Sequence, residues 1–240
     1  MELVLRGQRR LHRQTRVTGL DLAQARGNDY GRLVHDQKVA LLRKPLGRVL
    51  DVGCATGANA EVLRRHGATH LTGIDSDEAF AAEARSRYDE VVHGSVPDDL
   101  IWPPESFDTV LAYDVLEHLY DPWGTVKQLA ALLKPGGQLH VSLPNARSKK
   151  LWLPLVLRGT FAYEPEGIMD VTHLRFFTRR DALALIEQAG LQVASVVHPP
   201  PETLKRRIAY RLALTEFLTI QWFVLGHSPA AERTSPGITQ

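Results

Sequence analysis

The segment Val49-Leu50-Asp51-Val52-Gly53-Cys54-Ala55-Thr56-Gly57 constrains this chain more than any other. A short apolar run, of the length and residue types of a buried strand, meets two glycines, and a helical pattern follows. Glycine in such a turn lets backbone approach a ligand where a Cβ would collide. The start of the next helix offers free N–H groups and a partial positive charge. Asp75 closes the following apolar run about 18 residues after Gly57, a spacing at which a carboxylate takes two ribose hydroxyls. These features alone fit nicotinamide and flavin folds as well as others. Asp51 narrows the choice. It stands before the glycines, where a dinucleotide fold usually has an apolar residue, and it can accept from the ammonium of an amino-acid-bearing ligand.

Around this segment strand-like and helix-like patterns alternate, which predicts a mainly parallel sheet covered on both faces. A helix is expected over 29–44, then strands at 48–52, 69–74, 88–93, 107–113, 138–143 and 191–198. Ser76 is the expected cap of the helix that runs to about Arg87. Asp121-Pro122 opens another helix, a capping acid followed by proline in the first turn. Lys134-Pro135-Gly136-Gly137 ends it. Thr178 with Asp181 has the spacing of a capping box and opens a helix that runs to Gly190. Residues 145–177 read as an irregular lid with one amphipathic turn near 151–157. After Pro199-Pro200-Pro201 a basic helical insertion over 199–214 leads to a last strand at 217–225, which would pair antiparallel with the sixth. The domain is expected over 29–227, preceded by a basic arm, 1–28, and followed by a tail, 228–240.

The 240 residues suffice for one large domain with a sizeable core. A net charge of +2 gives no reason to expect a nucleic-acid partner. The arm, with Arg6, Arg9, Arg10, Arg13 and Arg16 against Glu2, can touch phosphate or an anionic membrane surface. The single cysteine, Cys54, leaves no intrachain disulfide framework and suits the cytoplasm. No apolar run nears the roughly 20 residues of a membrane helix, and no signal-peptide pattern opens the chain. Oligomeric state is not legible.

The glycine segment resembles motif I of class I S-adenosylmethionine-dependent methyltransferases, with Ala55 where that class has its middle glycine. Phe107-Asp108-Thr109-Val110 through Tyr113-Asp114-Val115-Leu116-Glu117-His118, and Lys134-Pro135-Gly136-Gly137, resemble motifs II and III of the same class. The resemblance spans about residues 29–198. It implies a doubly wound, seven-stranded, mainly parallel Rossmann-like sheet with an antiparallel last strand. It implies S-adenosylmethionine as cofactor, with Gly53, Ala55 and Gly57 around the methionine part, Asp51 orienting it and Asp75 on the ribose. Ser95 stands where the class usually has an acid facing the adenine. Tyr30, Ser76 and Tyr113 complete the expected cofactor set.

The stretch Glu164 to Thr178, with Asp170-Val171-Thr172-His173-Leu174-Arg175-Phe176-Phe177, resembles a bacterial subgroup often associated with sugar, cell-envelope or secondary-metabolite modification. In the class this segment lies over the cofactor's methyl group. His173 is therefore a candidate base, and a lid anchor is the alternative. Asp114, Glu117 and His118 stand at i, i+3 and i+4, which one helical turn would bring together. With His173 they resemble the metal site of the plant small-RNA 2′-O-methyltransferase and of ubiquinone-pathway O-methyltransferases. The Glu-His pair also occurs in metal-free relatives, and no metal is assigned. The expected catalytic set is His173, His118 and Glu117. The expected activity is O-methylation of a small-molecule, sugar or glycan-like acceptor, with N-methylation next. A nicotinamide-dependent oxidoreductase and a non-catalytic S-adenosylmethionine-binding module are the rivals.

Overall fold

A computed structural model describes residue 32, residues 34–198 and residues 215–230. The expected arm at 1–28, Tyr30, the basic insertion at 199–214 and most of the tail lie outside the described residues. The described elements run α1 (Asp36–Val39), β1 (Gly47–Val52), α2 (Ala60–Arg65), β2 (Ala68–Asp75), α3 (Glu78–Ala84), β3 (Glu90–His93) and β4 (Phe107–Tyr113). They continue with a 3₁₀ turn (Leu116–His118), α4 (Pro122–Ala131), β5 (Leu133–Pro144), α5 (Lys149–Arg158), α6 (Arg179–Gln188), β6 (Gln192–Val197), α7 (Thr215–Leu218) and β7 (Gln221–His227).

The seven strands form one sheet in the order β3-β2-β1-β4-β5-β7-β6. The pairs among β1 to β5 are parallel. The last strand is antiparallel, as expected from the sixth, but it inserts between β5 and β6 and pairs with both. The central strands are buried on both faces, which is why they read as unbroken apolar runs. Successive residues serve opposite faces. Leu50, Val52, Val110 and Ala112 join one core cluster with α4 and α6. Val49, Leu111 and Tyr113 join the other with α1 and α2.

The predicted caps at 121 and 178 form. Asp121 accepts from Gly124 N at 3.0 Å, and Thr178 with Asp181 makes a reciprocal capping box. Five expectations shift. Over 34–44 the chain is helical only at Asp36–Val39, with Pro45 close behind. Asp77, not Ser76, caps α3, accepting from the backbone of Ala79 and Phe80. Lys134 to Gly137 does not end α4, which closes at Ala131, but already belongs to β5, because Gly136, at φ 77°, lets the chain bulge while it keeps pairing with β4. The last strand starts four residues late, since Thr215–Leu218 forms a helical turn. The lid holds a full helix, α5, closed by Gly159 at φ 63°. Pro154 removes one main-chain donor from it, but the last turn still closes through Gly159 N to Leu155 O at 3.0 Å.

Candidate active site

In an open parallel sheet, ligands bind beyond the carboxyl ends of the strands where the strand order reverses. Here that point lies between β1 and β4, and a cavity of about 340 Å³ opens there. Gly53 and Ala55 after β1, Asp75 at the end of β2 and Ser76 after it, Ser95 after β3, Tyr113 at the end of β4 and His118 on the 3₁₀ turn beyond it all line it. The structure thus brings together seven of the predicted site residues. Phe80, Asp77, Val115, Leu119, Asp170 and Thr172 also line it and were not singled out. Asp77 carried a sequence signal as a second acid close to Asp75, while Val115, Asp170 and Thr172 stand inside the motif stretches noted above.

The wall near β1 and β2 is tied by one carboxylate. Asp75 accepts from Ala55 N at 2.8 Å and from Asp77 N at 2.9 Å. Ala55 adopts φ 47°, so the missing middle glycine leaves the left-handed turn itself intact. Gly53, at φ 69°, has no room for a side chain: a Cβ would stand 2.5 Å from Val115 Cγ2.

Asp51 does not line the cavity. It lies beneath the turn, and Tyr88 Oη donates to its Oδ2 at 2.6 Å. Burial pushes its carboxyl up to about 6, against the pull of hydrogen bonds from Tyr88 and Asn59. Gly57 is also away from the cavity. Its Cβ would meet the Tyr88 ring at 3.1 Å and Ala84 Cα at 3.2 Å, so it lets the turn settle onto α3.

At the other end, His118 faces the cavity and His173 packs behind it, their rings 4.8 Å apart. His118 Nδ1 lies 3.2 Å from Thr172 O and 3.0 Å from Thr172 Oγ1. His173 Nδ1 lies 3.2 Å from Ile168 O. A carbonyl only accepts, so each Nδ1 carries the hydrogen and each Nε2 is left with its lone pair. Glu117 is buried, and its Oε2 has no partner. Burial, and then the charge of Asp114, holds its carboxyl well above the usual range. His118 is held below the usual imidazole value, by burial and then by His173. One ligand atom from each of Glu117, His118 and His173 lies within 4.8 Å of the others.

Asp114 stands apart from that cluster, contrary to the i, i+3, i+4 expectation. The stretch is a 3₁₀ turn, and Asp114, at φ 56°, is turned away from it. Its carboxylate takes Lys38 Nζ at 2.8 Å, Ser142 Oγ at 2.8 Å and the Gln221 amide. Burial, the largest single influence, would raise its carboxyl, but the Lys38 charge together with hydrogen bonds from Lys38 and Ser142 holds it low.

The cavity fits S-adenosylmethionine. Asp75 and Asp77, two of the four carboxylates that line it, suit ribose hydroxyls, and Ile74, Phe80, Val96 and Leu119 offer apolar surface to a purine. Comparison with known proteins agrees. A family described as a methyltransferase domain matches residues 23–196. The ubiquinone biosynthesis O-methyltransferase of Klebsiella pneumoniae is 33% identical over 159 residues, covering 62% of this chain and 64% of the relative. That match therefore spans less than two thirds of the relative's length. The enzyme of the same name from Pseudomonas putida is 31% identical over 173 residues, covering 68% and 70%. Among solved structures, an S-adenosylmethionine-dependent methyltransferase from Mesorhizobium loti superposes with a TM-score of 0.59 at 19% identity, over 80% of this chain and 95% of that one. One from Archaeoglobus fulgidus gives 0.56 at 18%, over 77% and 87%. The chain belongs to the methyltransferase-domain family, built on the class I fold that binds S-adenosylmethionine.

Proposed function

We propose that this chain methylates an oxygen of a small-molecule acceptor, with His118 as general base. The observation that carries the proposal is the placement of His118. It lines the same cavity as the ribose carboxylate Asp75, it is held neutral, and its Nδ1–H is committed to Thr172. The cofactor, when bound, supplies an electrophilic methyl on a sulfonium that is already a good leaving group. The residues then have to orient both partners and remove one proton. Gly53, Ala55, Asp75 and Asp77 hold the cofactor's amino-acid and ribose parts. His118 Nε2 takes the acceptor's hydroxyl proton as the oxygen bonds to the methyl carbon. A positioned base of this kind contributes roughly 10²–10⁴-fold. His173 and Glu117 pack the base from behind. The names of the relatives support oxygen over nitrogen as the methylated atom. The acceptor class includes sugar and glycan-like hydroxyl compounds, as the Glu164–Thr178 stretch suggests.

A second reading has its own observation. Three potential ligands converge with a partnerless buried carboxylate oxygen among them. A divalent cation held by Glu117, His118 and His173 would supply Lewis acidity to acceptor oxygens. Two imidazoles and one carboxylate suit a transition metal better than Mg²⁺.

The proposal places the protein in the cytoplasm, consistent with one free, buried cysteine, Cys54. No helix among the described residues is long and apolar enough to cross a membrane. Peripheral contact with an anionic membrane is part of the proposal. α5 exposes Leu155, Val156 and Leu157 beside Lys149, Lys150 and Arg158, a combination of apolar and basic residues suited to a lipid surface.

The test is transfer of labelled methyl from S-adenosylmethionine to a panel of catechols, phenols and sugars. Replacing His118 by Ala should leave cofactor affinity near wild type and lower kcat by roughly 10²–10⁴. An equal kcat would end the base assignment. Cofactor binding with no transfer to any acceptor would favour a non-catalytic binding module.

A further inference from the structure

Thr172 and Asp170 sit 54 and 52 positions beyond His118 in the chain, yet they share its cavity. Asp170 is itself anchored by the lid: its N donates to Gly167 O at 3.1 Å. Its Oδ1 takes two bonds from Thr172, from the backbone N at 2.8 Å and from the hydroxyl at 2.6 Å. A carboxylate only accepts, so the single hydroxyl proton of Thr172 is committed to Asp170. What the hydroxyl oxygen then offers His118 Nδ1, 3.0 Å away, is a lone pair. The Thr172 carbonyl, at 3.2 Å from the same nitrogen, offers another.

We propose that Asp170 and Thr172 are positioning residues that fix His118 in its Nδ1–H tautomer and so keep the Nε2 lone pair available at the acceptor end of the cavity. Neutral imidazole carries one ring proton, and the partner of one nitrogen decides the state of the other. Asp170 is the polarity-setting member. Without it the Thr172 hydroxyl is free to rotate and donate to Nδ1, which would move the ring proton to Nε2 and remove the base. Thr172 is therefore an aid to His118 only while Asp170 holds its proton. The inference rests on the reading of His118 as the base, and it adds two residues whose role is exerted through His118.

The prediction that separates this device from simple packing is sign epistasis. The test uses the full-length chain with ¹⁵N-labelled histidine, in which the His118 signals are identified by their loss in His118→Gln. In the neutral wild type, His118 should show the Nδ1–H pattern. Asp170→Ala should raise the Nε2–H population several-fold. Adding Thr172→Val to Asp170→Ala should restore the Nδ1–H pattern, because the carbonyl is then the remaining partner. Thr172→Ser should match wild type. The proposal is overturned if Asp170→Ala keeps the wild-type pattern, or if the double variant is no closer to wild type than the single. Should Asp170→Ala fail to fold, Asp170→Asn carries the test. Its amide oxygen accepts from Thr172 as the carboxylate does, so Nδ1–H should persist, and a switch to Nε2–H overturns the idea. The tautomer is read without turnover. Its failure is thus distinct from failure of the base assignment, which the kcat of the His118→Ala variant decides.

Discussion

The Tyr88 hydroxyl reaches under the glycine turn and donates to Asp51 Oδ2 at 2.6 Å, with both side chains buried. The bond joins the connection between α3 and β3 to the first strand, beneath the glycine turn. Tyr88→Phe leaves a buried carboxylate short of one donor. The cost is expected to be about 1–3 kcal/mol of stability, read from denaturant midpoints, together with weaker S-adenosylmethionine binding by calorimetry. Wild-type values for both would show that the bond does not support the turn.

Asp51 gives the apo protein a pH signature. Its carboxyl is pushed up to about 6 in the fold, from an ordinary value of 3.8, chiefly because burial disfavours the charge. A raised carboxyl favours the folded state below the unfolded pKa, and that contribution is lost as pH rises through about 6. Stability of wild type relative to Asp51→Asn should therefore fall between pH 4 and pH 6 by up to about 3 kcal/mol. Asn keeps an oxygen for Tyr88 and has nothing to ionise. Parallel stability curves across this range would contradict the buried, partly protonated Asp51.

The sheet, the caps at 121 and 178 and most of the cavity wall near β1 and β2 were legible because each leaves a local trace. Strands β1, β2 and β4 are short apolar runs, Thr178 and Asp181 are three apart, and Asp75 follows the turn at a characteristic spacing. The role of Asp51 was only half legible. An acid before the glycines marks the fold, but its partner Tyr88 lies 37 positions away and carries no signal of pairing. Asp114 misled for a related reason. Its spacing to Glu117 and His118 is helical, yet the backbone leaves β4 through a positive φ, and a buried lysine from α1 claims the carboxylate. Lys38 lies within the helix expected over 29–44, and nothing local marks it as buried. The α5 helix was read only as one amphipathic turn, because Pro154 breaks its pattern and it buries none of its residues.

That unburied helix gives a test of the membrane proposal. Val156 and Leu157 are about 70% exposed, next to Arg158. The protein should sediment with phosphatidylglycerol vesicles more than with phosphatidylcholine ones, and less so in high salt. Val156→Glu with Leu157→Glu should reduce this roughly tenfold or more, since both apolar contact and charge balance are lost. Equal sedimentation of the double variant would remove α5 from any membrane contact.

Glu117 separates the two readings of the histidine cluster. Its carboxyl is buried, its Oε2 is partnerless, and its pKa is held well above the usual range. In the base reading it is a neutral, uncharged neighbour of His118 and His173. Gln has nearly the same shape, also neutral, so Glu117→Gln should keep kcat within a few-fold, and wild type should stay fully active in excess EDTA. In the metal reading the carboxylate is an ionised ligand, the cation having displaced its proton. Gln would then lower metal affinity and abolish most turnover, chelation would inactivate wild type, and Mn²⁺ or Zn²⁺ would restore it. The orphan oxygen fits either a proton or a cation. Burial, which holds the Glu117 carboxyl well above its usual range, favours the proton. We therefore expect EDTA to be harmless and Glu117→Gln to be active; loss of activity in both experiments would hand the cluster to a metal.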